Sequence, residues 1–571
     1  MNQGCTSPLK APKTNIDPGE QIPEITKAVE SSSEFDGHIQ LPNTQPSSVE
    51  ESLAHRMEEI EQLTPANTPE WESDVGINLY HKPTTPSPLR LDEAVLFTIE
   101  NNLDIQVASL EPLIAEQSKV SAEAAFDFLF GAGASSQRSK IPQQQAFIGG
   151  TPLNSAVSTT DTFSSNLSLV KQLYGGGTLT LSTNVTKTDN RTAGSVFLPD
   201  PAWQTVGTID LSQPLLRNFG EPITLAQIHL SEITHNQSKE ELRNTLNSVV
   251  TSAEHAYLDL SLHWKTLQVK NWLLQQGEEV VEILDIRRTY DAGEADFAQA
   301  VATVQQRRAD VIYQQSLLQK ASDVLKKLIN TEEYALESES IVQPMGTLEA
   351  NPISISLREA MMTALENRPD LRKLNLSIRS ESINVEVADN ARLPQLDMQA
   401  QMAFRGLGEN VGDGYQEVFD TEFINYLAGL TFEIPLGNRA AEANYTSARL
   451  QKMSAVATYK QGIQQATIDV KSALRDMVTN AELIGANKAY RIAQTENLRA
   501  LAVEEETMAG LSPTFLNLKL QTQTGLATAR IAEFSSIVNY NKAIASLYKA
   551  MGTTLKMHQV DFKTSPATTI E

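Results

Sequence analysis

Cysteine is nearly missing from this 571-residue chain, in which Cys5 is the only one. A single thiol excludes an intrachain disulfide framework and any cysteine-cluster metal site. Long apolar runs are missing too: no 18 apolar residues follow one another without interruption, so there is no candidate membrane-spanning helix, and no apolar N-terminal stretch offers a signal peptide. Transmembrane β-strands escape that exclusion, because an alternating pattern is invisible to a hydropathy window. Positive charge is in deficit, with 46 Lys and Arg against 70 Asp and Glu and a net charge of −24. That balance argues against nucleic acid or anionic headgroups as the partner of the whole molecule. No Walker-type phosphate loop and no local Ser/His/Asp or Cys/His motif is found, so no catalytic residue, cofactor or metal site is assigned.

The first 88 residues hold 11 of the 25 prolines together with serine and acidic clusters such as Glu30-Ser31-Ser32-Ser33-Glu34. Without a sustained apolar period, residues 1–88 read as a disordered leader that cannot bury enough surface to offset its ordering entropy. Gly4-Cys5 resembles the end of a bacterial lipoprotein cleavage box, which makes Cys5 a candidate lipidation site. An unmodified thiol in a flexible tail is the alternative reading.

Beyond Arg90 the chain repeats itself. Leu91 to Asp104 aligns with Leu357 to Asp370 at a constant offset of 266, with six of fourteen positions identical. Ile209 to Leu215 aligns with Leu430 to Leu436 at an offset of 221, so the first copy carries about 45 extra residues between these landmarks. The repeats are placed at 89–330 and 357–556, with a linker at 331–356 and a flexible tail at 557–571.

After the strand-exit proline each copy continues for 70 residues without another proline, Ile223 to Ala292 before Gly293 and Ala440 to Ala509 before Gly510. Second runs follow at Glu294 to Ile329 and Pro513 to Met551. Rich in Ala, Gln, Glu, Leu and Lys, these are helix formers, and 70 residues at 1.5 Å each would extend roughly 105 Å. Such a helix needs similar helices packed beside it at a shallow angle.

Between the helices the period changes to two. Leu396, Met398, Ala400, Met402 and Phe404 alternate with polar residues, as do Leu430, Phe432 and Ile434. In the first copy Phe126, Phe128 and Phe130, then Leu167 and Leu169, Leu179 and Leu181, and Ile209 and Leu211 follow the same rule. Strands are expected at about 126–213 and 394–435, two in the second copy and as many as four in the first, with Gly175-Gly176-Gly177 as a turn. Apolar-out, polar-in strands suit a water-filled barrel. Four to six strands cannot close one, and an open edge has no backbone partners in hydrocarbon, so the missing strands would come from other subunits.

The duplicated layout, Glu366-Asn367-Arg368-Pro369-Asp370-Leu371 with its echo at 100–105, Gln213-Pro214-Leu215-Leu216-Arg217-Asn218-Phe219-Gly220 and Tyr290-Asp291-Ala292-Gly293 resemble TolC-type outer-membrane efflux proteins over residues 89 to about 556. The resemblance implies a mainly α fold with a membrane β-barrel portion, in which long antiparallel helical hairpins form an α-barrel and strands contribute to a trimeric β-barrel. It further implies a homotrimer in the outer membrane, with its helical barrel in the periplasm. There it would give passive exit to substrates of a tripartite efflux or type I secretion system, partnered by a periplasmic adaptor and an inner-membrane transporter.

Candidate gating residues cluster near the helical tips. Gly293 and Gly510 fit helix C-caps, where left-handed backbone favours glycine. Asp291, Glu294, Asp296, Glu504, Glu505 and Glu506 would ring a narrow mouth as a cation-selective or charge-gated constriction, or are solvated charges at a helix end. Arg287 and Arg288 would pair with carboxylates of a neighbouring hairpin, or simply complement a helix C-terminus. The family places aspartates just after the second tip; this chain has Leu516-Asn517-Leu518-Lys519 instead, leaving Asn517 to narrow the opening. His229, His235, His255 and His263 lack the spacing of a shared helix face and read as solvated surface. The competing readings are an elongated coiled-coil scaffold, which leaves the strands unexplained, and a periplasmic adaptor, which would carry one hairpin rather than two. An enzyme ranks third.

Overall fold

The computed structural model describes residues 38–41, 47–65, 75–145, 147–149, 151–152, 155–192, 198–289, 293–346, 349–350, 352–507 and 512–560. The chain divides into two compact units: Met1–Pro112, Ser238–Leu374 and Thr458–Glu571 make the first, Leu113–Gln237 and Asn375–Ala457 the second. Its main helices are α1 (Leu91–Asn101), α2 (Leu103–Glu123), α3 (Ala226–Arg287), α4 (Glu294–Ile329), α5 (Leu357–Asn367), α6 (Pro369–Asn390), α7 (Val411–Asp420), α8 (Arg439–Thr507) and α9 (Pro513–Met551). The main strands are β1 (Phe128–Pro142), β2 (Val157–Gln172), β3 (Thr178–Asn190), β4 (Ala202–Pro214), β5 (Gln395–Gly408) and β6 (Ile424–Glu433).

Two helical hairpins, α3–α4 and α8–α9, dominate the first unit. On α4, Val304, Val311, Leu318 and Leu325 are buried at intervals of seven, which keeps one stripe against neighbouring helices. Leu318 and Leu325 join Leu260, Trp264 and Leu267 of α3 in one core, and Val470, Leu474 and Met477 of α8 join Tyr540, Ile544 and Leu547 of α9 in another. Met361 packs in that second core. Helix α3 has 62 residues and α8 has 69, against the 70 expected of each; α3 starts late because a short helix at Glu221–Thr224 takes the first turn.

The repeated Glu-Asn-Arg-Pro-Asp stretch makes the joint between α5 and α6. Arg368, near-buried, binds Asp370 and Asp469 of α8 at 2.8 Å each and the Ala550 carbonyl at 3.3 Å. In the first repeat its counterpart is Asn102, which donates to Leu328 O at 2.9 Å and accepts from the backbone N–H of Asp104. Both residues tie a helix joint to the long helices.

The leader differs from its expectation wherever it is described. Residues 38–41 pair with Ile353–Ser356, and Pro86–Leu89 pairs with Ile341–Pro344. Short helices at Ser48–Ser52 and Met57–Leu63 follow, the first closed by a Ser47–Glu50 capping box. Ile60 is fully buried, and ion pairs dock this segment on α8: Arg56–Glu496 at 2.9 Å, Lys488–Glu50 at 2.5 Å, Arg491–Glu61 at 2.9 Å and Arg499–Glu59 at 3.9 Å. Charge pairing with a remote helix, rather than a local apolar period, orders it. Cys5 lies outside the described residues.

The second unit is built on one antiparallel sheet in the order β6-β5-β4-β3-β2-β1. Four strands thus belong to the first repeat and two to the second. The β2–β3 turn uses Gly176 at φ +90°, a conformation that favours glycine, with Leu173 N–H donating to Gly177 O at 2.8 Å. Directly opposed residues share a face, so the register assigns each side. Phe130, Leu169, Leu181, Ile209, Met402 and Tyr426 form one row across the sheet. On the other face the adjacent row is Gly131, Ser168, Ser182, Thr208, Ala403 and Asn425. One side is apolar, the other mostly Ser, Thr, Asn, Gln and Asp.

Helix α7, between β5 and β6, lies on the apolar side and was not foreseen. A Cβ on Gly406 would overlap Gly414 O, and one on Gly414 would sit 2.6 Å from Thr205 Oγ1, so glycines set the close approach. The Tyr415 hydroxyl meets Thr183 Oγ1 at 3.0 Å.

Candidate functional site at the paired helical tips

Where α3 meets α4 and α8 meets α9, the chain turns back. Around the turns Val280 and Leu284 of α3, Ala300 of α4, and Leu516 and Leu520 of α9 form a small buried core, so the two tips pack on each other. The turns themselves need polar caps. Ser512 accepts from the N–H of Phe515 at 3.1 Å, and Pro513 occupies the first position of α9, where its missing N–H costs nothing.

Gly293 does not take the C-cap role expected of it. It is the N-cap of α4 with φ −70° and ψ 148°, extended backbone open to any residue. Helix α3 ends earlier, at Arg287. Gly510, Asp291 and the side chain of Glu506 lie outside the described residues.

Arg288 pairs with Glu294 of its own hairpin, Nε to Oε1 at 2.8 Å, and its guanidinium lies 5.0 Å from the centre of the Phe297 ring. The expected pairing with a neighbouring hairpin is therefore not what these contacts form; a carboxylate six residues ahead is simply closer. Arg287 is half-buried in the last turn of α3. Asn517 of α9 reaches Asp296 of α4 at 3.5 Å, which links the two hairpins. Within the second hairpin Lys519 Nζ binds Glu505 Oε2 at 2.6 Å. Among the described residues each tip thus carries a cation–carboxylate strut, and the Asn517–Asp296 contact crosses between them.

About 13 residues up α4 from Glu294, roughly 20 Å along the helix, sits a residue the sequence reading passed over. Arg307 is 4% exposed in the buried heptad stripe. Its Nη1 donates to Leu273 O of α3 at 2.7 Å and Gln523 Oε1 of α9 at 3.2 Å; Nη2 donates to Leu520 O at 2.8 Å and Thr524 Oγ1 at 3.1 Å. Gly277 leaves the space, since a Cβ there would stand 2.8 Å from Nη1. Burial pushes the guanidinium down to about 10, so it keeps its charge at neutral pH. A polar residue in a heptad seam fixes register, and this one joins the first hairpin to α9 of the second. Its heptad spacing from Val304, Val311 and Leu318 was the signal that could have found it.

His255 and His263 are half-buried, against the solvated surface expected. His255 Nε2 is 3.1 Å from Lys542 O, and His263 Nδ1 is 3.1 Å from Gln314 Nε2. Burial lowers both pKa values. They lie on the packed side of α3, where long-range contacts outweigh local spacing. His229 is exposed and His235 half-exposed, and among the described residues no His, Cys, Asp or Glu cluster could hold a metal ion.

Residues 361–553 match the family of outer membrane efflux proteins. Similar folds are the Campylobacter jejuni CmeC outer membrane channel (TM-score 0.60, 17% identity, 86% of this chain and 95% of that one) and the open-state Neisseria gonorrhoeae MtrE outer membrane channel (TM-score 0.57, 18% identity, 82% and 89%). The Vibrio cholerae outer membrane protein VceC is also similar (TM-score 0.55, 16% identity, 81% and 96%). No curated protein matches.

Proposed function

We propose that this chain of the outer membrane efflux protein family is one subunit of a homotrimeric duct, through which substrates leave the cell passively. The observation that carries the reading is the two-faced sheet. Six strands with one apolar and one polar side have free edges at β1 and β6, each paired on one side only among the described residues. In hydrocarbon those edges require partners, and three copies would supply them while turning the polar faces toward a water-filled lumen. No described helix is long and apolar enough to cross a membrane.

The long hairpins then serve as a periplasmic stem whose tips form the gate. Tips held by the Arg288–Glu294 and Lys519–Glu505 struts, and by Arg307 above them, have a closed arrangement that a partner can trade against its own contacts. A periplasmic adaptor and an inner-membrane transporter, which supplies the energy, are the partners this geometry suits. The transported substrate class follows from that transporter and not from this chain.

Purified protein reconstituted in planar bilayers tests the reading. Discrete conductance steps from a species of three subunits, recovered from the outer-membrane fraction, are expected. A soluble monomer without conductance would end the proposal and favour an elongated scaffold.

A further inference from the structure

The apolar side of the sheet is not flat. Between α7 and the strands runs a trough of about 610 Å³, lined chiefly by Phe130, Leu167, Leu181, Ile209, Val418 and Phe419. Its floor is low because Thr183 and Gly207 occupy the row under α7, where Val418 stands over Gly207. Its outer wall is Phe419, 78% exposed and stacked on Tyr415 at 6.4 Å between ring centres.

The rows above the trough change character in order. Phe163, Lys187 and Trp203 form one row, with the Lys187 ammonium 5.6 Å from the Trp203 ring centre. The next holds Arg138, Asp161 and Asp189, where Arg138 and Arg191 both bind Asp161. Apolar band, aromatic and cationic girdle, then charged rim is the sequence that a bilayer interface selects. These rows lie at the strand ends away from the junctions with α2, α3, α6 and α8, which by the duct reading is the outward end.

We propose that the trough beneath α7 holds an acyl chain of a phosphorylated outer-leaflet lipid, whose headgroup phosphate meets Lys187. The inference rests on the duct reading. Thr183 and Lys187 are four strand residues apart, roughly 13 Å, so one lipid spans both the apolar floor and the cation. Because a chain in the trough leaves one apolar medium for another, tight packing and the phosphate contact hold it, rather than exclusion from water. The lipid thereby clamps α7 to the rim of the barrel.

Native mass spectrometry of the detergent-extracted full-length assembly tests this. Under activation that strips loosely held lipid, one phosphorylated lipid per chain is expected to remain, its mass identifying phospholipid or lipopolysaccharide. Leu181→Trp, which fills the trough, is expected to lose it, and Lys187→Gln to lower retention at least threefold. Met398→Trp, on the same face but outside the trough, is expected to keep it. Phe419→Asp, a change at an exposed position, repeats the test if Leu181→Trp fails to assemble. Equal retention in the trough variants and the parent, retention of detergent only, or none in the parent would overturn the proposal. An assembled, conducting protein without bound lipid would refute the trough and leave the duct intact, whereas a chain that never enters membranes would refute both.

Discussion

Removing the carboxylate of Glu533 gives a sharp test of how the N-terminal segment is held. Glu533 Oε2 lies 2.6 Å from Arg530 Nη1 and 2.8 Å from Arg491 Nε, and the three side chains are 7%, 9% and 3% exposed. Arg491 in turn reaches Thr64 Oγ1 at 3.0 Å and Glu61 at 2.9 Å, while Arg530 donates to Pro65 O at 3.3 Å. In Glu533→Gln the shape survives but two guanidiniums remain buried side by side without their shared anion. Breaking a buried pair in this way costs about 3–5 kcal/mol. At about 1.4 kcal/mol per tenfold, amide hydrogen exchange in residues 57–65 and around Arg491 should accelerate roughly 100- to 3,000-fold. Glu61, 37% exposed, is the control: Glu61→Gln should cost about 1 kcal/mol or less, under roughly fivefold. Exchange in Glu533→Gln within threefold of the parent, or equal to that of Glu61→Gln, would refute the assignment of Arg491 as the anchor of this segment.

Other outcomes follow from the same packing. Arg307→Met removes a buried, desolvated charge together with its hydrogen bonds, an exchange that is often near neutral, so thermal stability should move by less than about 2 kcal/mol. Resting conductance in bilayers should nevertheless rise, and an unchanged conductance would deny the clasp a part in closure. His255, whose folded pKa burial depresses, binds its proton more readily when unfolded. The His255 contribution is therefore constant above pH 6.5 and declines as pH falls from there through the folded value; His255→Gln should make the fall in melting temperature between pH 7 and 5 shallower, with His263 still contributing, and an unaltered slope would contradict this. Gly406→Ala should undock α7, seen as faster hydrogen exchange over 411–420 with the strands still protected, and unchanged protection there would show the close approach to be incidental.

What was legible in the sequence had a local, repeated signature. The runs without interior proline at Glu294–Ile329 and Pro513–Met551 coincide with α4 and α9, and the period-two segments with the strands, because one apolar stripe per element is written in consecutive residues. Gly175-Gly176-Gly177 marked its turn, since positive φ selects glycine there. The misses needed distant partners. Ile60 and Arg56 read as leader because Glu496, which fixes Arg56, is 440 residues away. Arg307 carries no local signature of its clasp, since its acceptors on α9 lie 213 to 217 residues on. Helix α7 has only ten residues and two glycines, and its docking depends on glycines in other strands. Arg288 meets Glu294 of its own hairpin, a partner that spacing alone does not single out among several carboxylates within reach of a flexible cation.

Closure of the sheet between subunits is the claim on which the duct depends, and edge cross-linking measures it. In a Cys5→Ser background the chain has no other thiol, so a cysteine on β1 and one on β6, sampled over a small set of registers, can join only across subunits. The account predicts at least one pair that drives the membrane-embedded protein to a covalent species of three chains and no further. Ladders that grow past three, or no linkage between β1 and β6 in any register, would contradict it.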